Sequence, residues 1–282
     1  MIWKIRQNTV SFGRTLLMGI LNITPDSFFD GGRYLDPDAA STQALRLVGE
    51  GADMLDLGAE STRPGAVPVT EREELERLLP VLKRVRKEVS VPISIDTVSP
   101  KVAKECLDAG ADIINDVSGL KRSGHDMAKV VKKFDAGLVL MHSRGTPETM
   151  QALASYGDVV TDVMTELRES VKLAVDAGIE REQLVVDPGL GFAKTTEQNL
   201  EIMKNLGVFH KLELPVMLGP SQKSFIGKVT GREVNEREFG TAACIAAAVM
   251  NGIQIVRVHD VKAMRDVVRV TESIKRLSKT PS

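Results

Sequence analysis

The sequence predicts an α/β fold, a single (β/α)8 TIM barrel over residues 1–282 with a short N-terminal hairpin, and three observations lead to it. Eight apolar runs of strand length alternate with helical patterns along the whole chain. The runs are nearly continuous in apolar residues, which indicates strands buried on both faces and therefore a parallel sheet. Each run breaks off into one or two polar residues, and in a parallel barrel all such ends share one mouth, where these folds carry their chemistry. Nothing along the chain resembles a linker, so one barrel domain accounts for its length.

In chain order, residues 3–12 alternate around Asn8 and read as a hairpin closing the bottom of the barrel. The strands follow at 15–21, 54–57, 92–95, 112–114, 137–141, 184–186, 215–218 and 253–258. Helix starts carry capping chemistry. Asp36-Pro37 and Ser99-Pro100 each pair a capping side chain with proline at the first helical position, and Thr70 with Glu73 fits a capping box. Gly51, Gly110, Gly178 and Gly252 mark helix stops just before the next strand. The helix at 71–89 places Leu75, Leu78, Leu79, Leu82, Val85 and Val89 on one face, with Pro80 expected to kink it. The echo of Gly51-Ala52-Asp53-Met54 in Gly110-Ala111-Asp112-Ile113 suggests repeated βα units.

Composition excludes several classes of function. With 37 basic and 38 acidic residues interspersed and a net charge of -1, there is no nucleic-acid footprint. The longest apolar stretch, 242–250, is far below the roughly 20 residues of a membrane span, and no signal-type core opens the chain. A cytoplasmic protein is expected. Cys106 and Cys244 sit in predicted helices without metal-type spacing and read as packed thiols.

The barrel geometry gathers Asn22, Asp56, Asp96, Asn115, Asp187, Lys223, Arg257 and His259 at one mouth, with Asp96 and Asn115 each expected at a strand end and outside the barrel interior. Asp96, Asn115, Asp187 and Lys223 offer acceptors, an amide and a cation, which suits a flat polar heterocycle. Arg257 and His259 lie two apart on the last strand and with Asn22 form a natural anion site; a strand-end ion pair is the competing reading. The loops at 24–34 and 61–65 carry polar residues, prolines and glycines suited to closing over a reacting centre. Gly189-Leu190-Gly191-Phe192 lacks the third glycine of a dinucleotide fingerprint and reads as a tight turn presenting Phe192. His142, at the end of the fifth strand, reads as a hydrogen-bonded imidazole.

These residues together resemble dihydropteroate synthase, and the similarity runs through essentially the whole chain. The motifs that carry it are Asn22-Ile23-Thr24-Pro25-Asp26-Ser27-Phe28, Asp56-Leu57-Gly58-Ala59-Glu60-Ser61-Thr62-Arg63-Pro64-Gly65, Ser94-Ile95-Asp96-Thr97, Asn115-Asp116-Val117-Ser118-Gly119, Asp187-Pro188-Gly189-Leu190-Gly191-Phe192, Ser221-Gln222-Lys223-Ser224 and Arg257-Val258-His259-Asp260. The resemblance implies condensation of 7,8-dihydropterin-6-ylmethyl diphosphate with 4-aminobenzoate, giving 7,8-dihydropteroate and diphosphate in folate biosynthesis. It implies that Asp96, Asn115, Asp187 and Lys223 hold the pterin, with Val117, Met141 and Phe192 around it. Asn22 would help bind Mg2+, Arg257 and His259 would hold the diphosphate near Thr62 and Arg63, and Asp26, Thr62 and Pro64 would shape the aminobenzoate site beside Ser224. Asp96, Lys223, Arg257 and His259 would be the catalytic set. Diphosphate would leave first, and the amine would attack the resulting pterin methylene cation. A homodimer through the small-residue helix at 241–250 is a further implication.

One departure is visible: Gln222 stands where the family usually has arginine. It cannot supply a permanent charge. A pterin-dependent methyltransferase would need the pterin residues but not Asn22, Arg63 or the Arg257–His259 pair. A non-catalytic pterin-binding homologue would bind without releasing diphosphate.

Overall fold

A computed structural model describes residues 1–23, 29–30, 34–60 and 69–277. The chain opens with an antiparallel hairpin of β1 (Ile2–Ile5) and β2 (Asn8–Ser11). The barrel strands are β3 (Leu16–Asn22), then, after a two-stranded ribbon of β4 (Phe29–Asp30) and β5 (Tyr34–Leu35), β6 (Met54–Gly58), β7 (Ile93–Asp96), β8 (Ile113–Asp116), β9 (Gly137–Met141), β10 (Leu184–Asp187), β11 (Met217–Leu218) and β12 (Ile255–Val258). All are parallel neighbours in the order β10, β9, β8, β7, β6, β3, β12, β11. A single parallel bridge, Val186 to Val216, joins the two ends of that order. The seventh strand is shorter than its apolar run because Pro215 has no N–H; its carbonyl instead accepts from Val186 N at 3.0 Å.

Nine α-helices are described: α1 (Pro37–Glu50), α2 (Glu71–Glu88), α3 (Pro100–Asp108), α4 (Gly124–Phe134), α5 (Val159–Asp176), α6 (Thr196–Lys204), α7 (Ser224–Thr230), α8 (Glu238–Met250) and α9 (Val261–Leu277). Their starts follow the capping signals. Asp36 accepts from the N–H groups of Asp38 and Ala39, and Ser99 from Val102. The box at Thr70 forms only in its first half. Thr70 accepts from Glu73 N, but the Glu73 carboxylate is drawn to the Arg77 guanidinium at 2.9 Å, one turn on. Pro80 lies within α2 without ending it. Gly51 closes α1 at φ +109°, a conformation in which a Cβ would be strained.

Period-two geometry sorts each strand into an outward and an inward set. Outward residues such as Leu17, Leu55, Ile95 and Leu140 pack under the helices. The inward set at the amino-terminal end is apolar but for Ser94 of β7: Leu16, Met18, Met54, Ile113, Val139, Val185, Met217 and Ile255. Trp3 and Ile5 of the hairpin complete that cluster, both buried, so the hairpin does plug the bottom of the barrel. The Trp3 indole N–H donates to Gln183 O at 2.8 Å.

Polar side chains take several of the upper inward positions, beside Ile20 and Met141, which corrects one expectation. Asp96, Asn115 and Asp187 are not past their strands: Asp96 and Asp187 close β7 and β10 and Asn115 is the third residue of β8, while Arg257 lies within β12 as expected. Asp96 pairs in register with Asn115, and both face the interior. The apolar run of a strand stops being apolar one turn of the pleat before its hydrogen bonding stops.

Candidate active site

Arg257 is the hub of the barrel mouth. Its Nε donates to Asp56 Oδ2 at 2.6 Å and its Nη2 to Asp96 Oδ2 at 3.0 Å, across the interior from β12 to β6 and β7. Asn115 Nδ2 also donates to Asp56 Oδ2, at 3.2 Å. The ion-pair reading of Arg257 is therefore realised in the structure. The strand pattern puts Asp56 at the mouth without giving it a role; its hydrogen bond from Arg257 makes it part of the set. Asp56 Oδ1 and Asn115 Oδ1 are buried with no hydrogen-bond partner among the described residues. Buried acceptors without donors are uncommon, and two on neighbouring side chains amount to a template for a ligand bearing N–H groups.

Burial sets the protonation of this ring. It raises the Asp96 carboxyl above the usual aspartate range, with Arg257 opposing and the Asp56 and Glu74 carboxylates adding to the rise. Asp187 is pushed up to about 6 by burial, against the Gly189 N–H and the Lys223 charge. Lys223 is pulled down to about 8 by burial and by Arg257, while Asp187 and Asp96 hold its proton on. Its Nζ lies 4.2 Å from the centroid of the Phe192 ring. Val117, Met141 and Phe192 come together with Met150 and Ala193 as an apolar wall above the polar ring. Beside this wall opens a cleft lined by Glu60, Asp96, Thr97, Val117, Arg144 and Phe192 among others. Its lining mixes apolar side chains with a few polar groups, the kind that orients a small organic ligand.

His259 accepts or donates at Nδ1 to Ser221 Oγ, 2.9 Å away, which ties the end of β12 to the loop after β11. Ser224 is exposed at the start of α7, and Lys223 is its N-cap residue. Asn22 is half-buried at the end of β3. It offers one neutral amide oxygen, and among the described residues no three acidic, histidine or cysteine side chains converge to hold a metal alone. One neutral oxygen is compatible only with a hard divalent cation that keeps most of its water. Asp26, Thr62, Arg63 and Pro64 lie outside the described residues.

The loop holding Gln222 is built from backbone contacts. Gln222 sits at φ +58°, its N–H donates to Thr241 Oγ1 at 3.2 Å, and its carbonyl accepts from Arg237 Nη1 at 3.0 Å. The aim of Lys223 is thus independent of the side chain at 222. Gln222→Arg should change turnover by less than about tenfold, since an exposed ionic contact contributes about 0 to 1 kcal/mol and tenfold needs roughly 1.4. Steady-state kinetics decides it, and an inactive native chain revived by this substitution alone would refute the expectation.

Several residues of consequence carried no sequence signal. Lys194 reads as an ordinary lysine after a turn, yet it is 3 % exposed. Glu74 reads as a helix-surface acid, yet it is buried, bonded to Thr97 and raised to about 7 by burial. His142 does behave as expected, a buried imidazole hydrogen-bonded to a neighbour. Cys106 is a packed, buried thiol.

Residues 18–259 match the family model described as "Pterin binding enzyme". The chain is 45 % identical over 264 residues to the dihydropteroate synthase of Synechocystis, covering 93 % of this chain and 91 % of that one. It is similar to the Xanthomonas albilineans dihydropteroate synthase solved with 4-aminobenzoic acid, at TM-score 0.91 and 38 % identity over the full length of both. The Clostridium difficile dihydropteroate synthase solved with pteroic acid superposes at TM-score 0.87 and 42 % identity, covering 93 % of this chain and 97 % of that one.

Proposed function

The chain belongs to the pterin-binding enzymes as a dihydropteroate synthase, and from that premise we propose how its residues divide the condensation of 7,8-dihydropterin-6-ylmethyl diphosphate with 4-aminobenzoate. The observation that carries the assignment is the pair of unpartnered buried acceptors, Asp56 Oδ1 and Asn115 Oδ1, next to Asp96, which itself lines the cleft. The amino and ring N–H groups of a pterin supply the donors that these atoms lack. Asp96, Asn115 and Asp187 bind the ring edge, Lys223 donates to its oxo side, and Val117, Met141 and Phe192 cover its faces.

In the reaction the bond between the pterin methylene carbon and the diphosphate oxygen breaks, and the electron pair leaves with the diphosphate. Arg257 and His259 stabilise that leaving group, and the carboxylates around the ring stabilise the positive charge left on the pterin methylene. The aniline nitrogen then forms the new bond to the methylene carbon and releases its proton. A Mg2+ ion held by Asn22 and the diphosphate would neutralise part of the leaving group's charge. Asp26, Thr62, Arg63, Pro64 and Ser224 are the proposed contacts of 4-aminobenzoate and the diphosphate. The deciding experiment measures diphosphate release with and without 4-aminobenzoate and Mg2+. Release dependent on both, with dihydropteroate formed in equal amount, supports the reading; pterin binding without release overturns it.

Asp96→Ala and Asn115→Ala should each weaken binding of the pterin alcohol by about 1–3 kcal/mol, the range for a buried polar group deprived of its partner. Calorimetry checks this, and unchanged affinity in both variants would remove them from the pterin site.

No described helix is long and apolar enough to cross a membrane. We propose a cytoplasmic homodimer, a reading supported by the apolar side chains exposed along α8 and α9, among them Phe239, Met250, Val270 and Ile274. Sedimentation should find twice the chain mass.

A further inference from the structure

The turn between β10 and α6 carries Phe192 on five separate hydrogen-bonding supports. Lys194 Nζ donates to Gly189 O at 2.9 Å and to Phe192 O at 3.0 Å, and contacts His142 Nδ1 at 2.9 Å. Asp187 Oδ1 accepts from Gly189 N and Asn199 Oδ1 from Gly191 N, each at 2.7 Å. Tyr156 OH donates to Ala193 O at 2.9 Å. The turn is also pressed hard on the end of β9: Gly189 has φ +69°, and a Cβ there would stand 2.0 Å from His142 O. No other residue type fits that approach.

Lys194 is the member whose chemistry needs explaining, because a buried ammonium is expensive unless every N–H is matched. Here an ammonium with three N–H groups meets three acceptors. Accepting at Nδ1 places the imidazole proton of His142 on Nε2, which lies 3.2 Å from Glu166 Oε2, an electrostatic contact without hydrogen-bond geometry. Glu166 in turn accepts from Arg144 Nε at 2.9 Å and pairs with Lys121, and Arg144 stacks on the Tyr156 ring at 3.9 Å. Arg144 and Phe192 line the same cleft. One network therefore braces both the loop after β9 and the turn after β10.

We infer that Lys194 is a positioning residue of the condensation: its ammonium clasps the turn at 189–192 and holds the Phe192 ring at the height where it walls the pterin cavity. This rests on the pterin reading of that cavity. The inference predicts pH-dependent binding. Burial pulls Lys194 down to about 7, Arg144 and Lys223 push the same way, and Asp187 and Glu166 oppose them. Burial and the Lys194 charge pull the His142 imidazole down to about 4 despite Glu166, so it is neutral across this range. A deprotonated amine has two N–H groups for three acceptors, so the clasp loosens as pH rises through the lysine's folded value. Asp187 and Lys223 titrate in the same cavity, so the readout is the difference between the native and the substituted enzyme.

The test uses Lys194→Met and Tyr156→Phe in the full chain, with equilibrium binding of the pterin alcohol from about pH 6 to about pH 9 and KM values for both substrates. Lys194→Met should weaken the pterin alcohol and raise KM for the pterin diphosphate by about tenfold or more, the loss expected when buried acceptors lose their donor. KM for 4-aminobenzoate at saturating pterin substrate should stay within about threefold. The difference profile against the native enzyme should shrink at alkaline pH, where the native clasp is already open. Tyr156→Phe removes a peripheral support of the same turn and should shift pterin binding alone, in the same direction and by less. It decides the matter if Lys194→Met does not fold. Unchanged pterin affinity, equal losses for both substrates, or a difference profile flat with pH would overturn the inference. If the native chain binds the pterin alcohol but forms no dihydropteroate, the functional reading fails and the clasp is still measured.

Discussion

Arg257→Ala should destabilise the protein by about 3–5 kcal/mol, because it strands two carboxylates that the fold holds away from water. Asp56 is fully buried and Asp96 nearly so, and the guanidinium is the cation that reaches both, at 2.6 and 3.0 Å. The loss should depend on pH with a definite sign. Burial already raises the Asp96 carboxyl, and Arg257 is the leading influence that opposes the rise. Without it, the folded state binds that proton still more tightly than the unfolded chain does. Stability of the variant then falls as pH rises from the ordinary aspartate value of about 4 upward through the folded value. Urea unfolding at about pH 5 and about pH 8 should show the gap to the native protein widening. A constant gap would mean that packing of the arginine stem dominates. In the same variant, and in His259→Ala, binding of the diphosphate substrate should suffer more than binding of the pterin alcohol. Equal losses would make the pair structural and leave the leaving group to other residues.

Trp3→Ala should lower stability by about 3–5 kcal/mol while leaving KM for both substrates unchanged. The indole is fully buried beneath the inward residues of the strands, at the opposite end of the barrel from Arg257 and Asp96. Its fit is close: a Cβ on Gly137 would stand 3.1 Å from the ring. Removing it opens a cavity and leaves Gln183 O without its donor. Trp3→Phe keeps part of the packing and loses the hydrogen bond, so it should lie between native and Trp3→Ala. A loss below about 1 kcal/mol in the alanine variant, the level of an ordinary surface change, would show that the hairpin is dispensable.

The eight βα units, the plugging hairpin and the helix boundaries at Asp36, Ser99 and Gly51 were legible because their causes are local. Strand length, cap chemistry and a left-handed stop act over a few residues. The gathering of Asp96, Asn115, Asp187 and Lys223 was legible for a topological reason, since parallel strands deliver their carboxyl ends to one mouth. Strand ends were less legible. Asp96 and Asp187 break an apolar run and so read as loop, although the backbone ladder continues through them.

By itself the sequence determined the repeat, the register of polar against apolar positions and the membership of the mouth. Only the tertiary structure decided which charges meet there. Arg257 and Asp56 are 201 residues apart, Arg257 and Asp96 are 161 apart, and Lys194 lies 52 residues from His142. A carboxylate at a strand end is free to pair, to bind a ligand or to face water, and no local pattern distinguishes these outcomes. The choice depends on how far neighbouring elements exclude solvent and on which counter-charge closure of the barrel brings within about 4 Å, both of which are properties of packing in three dimensions.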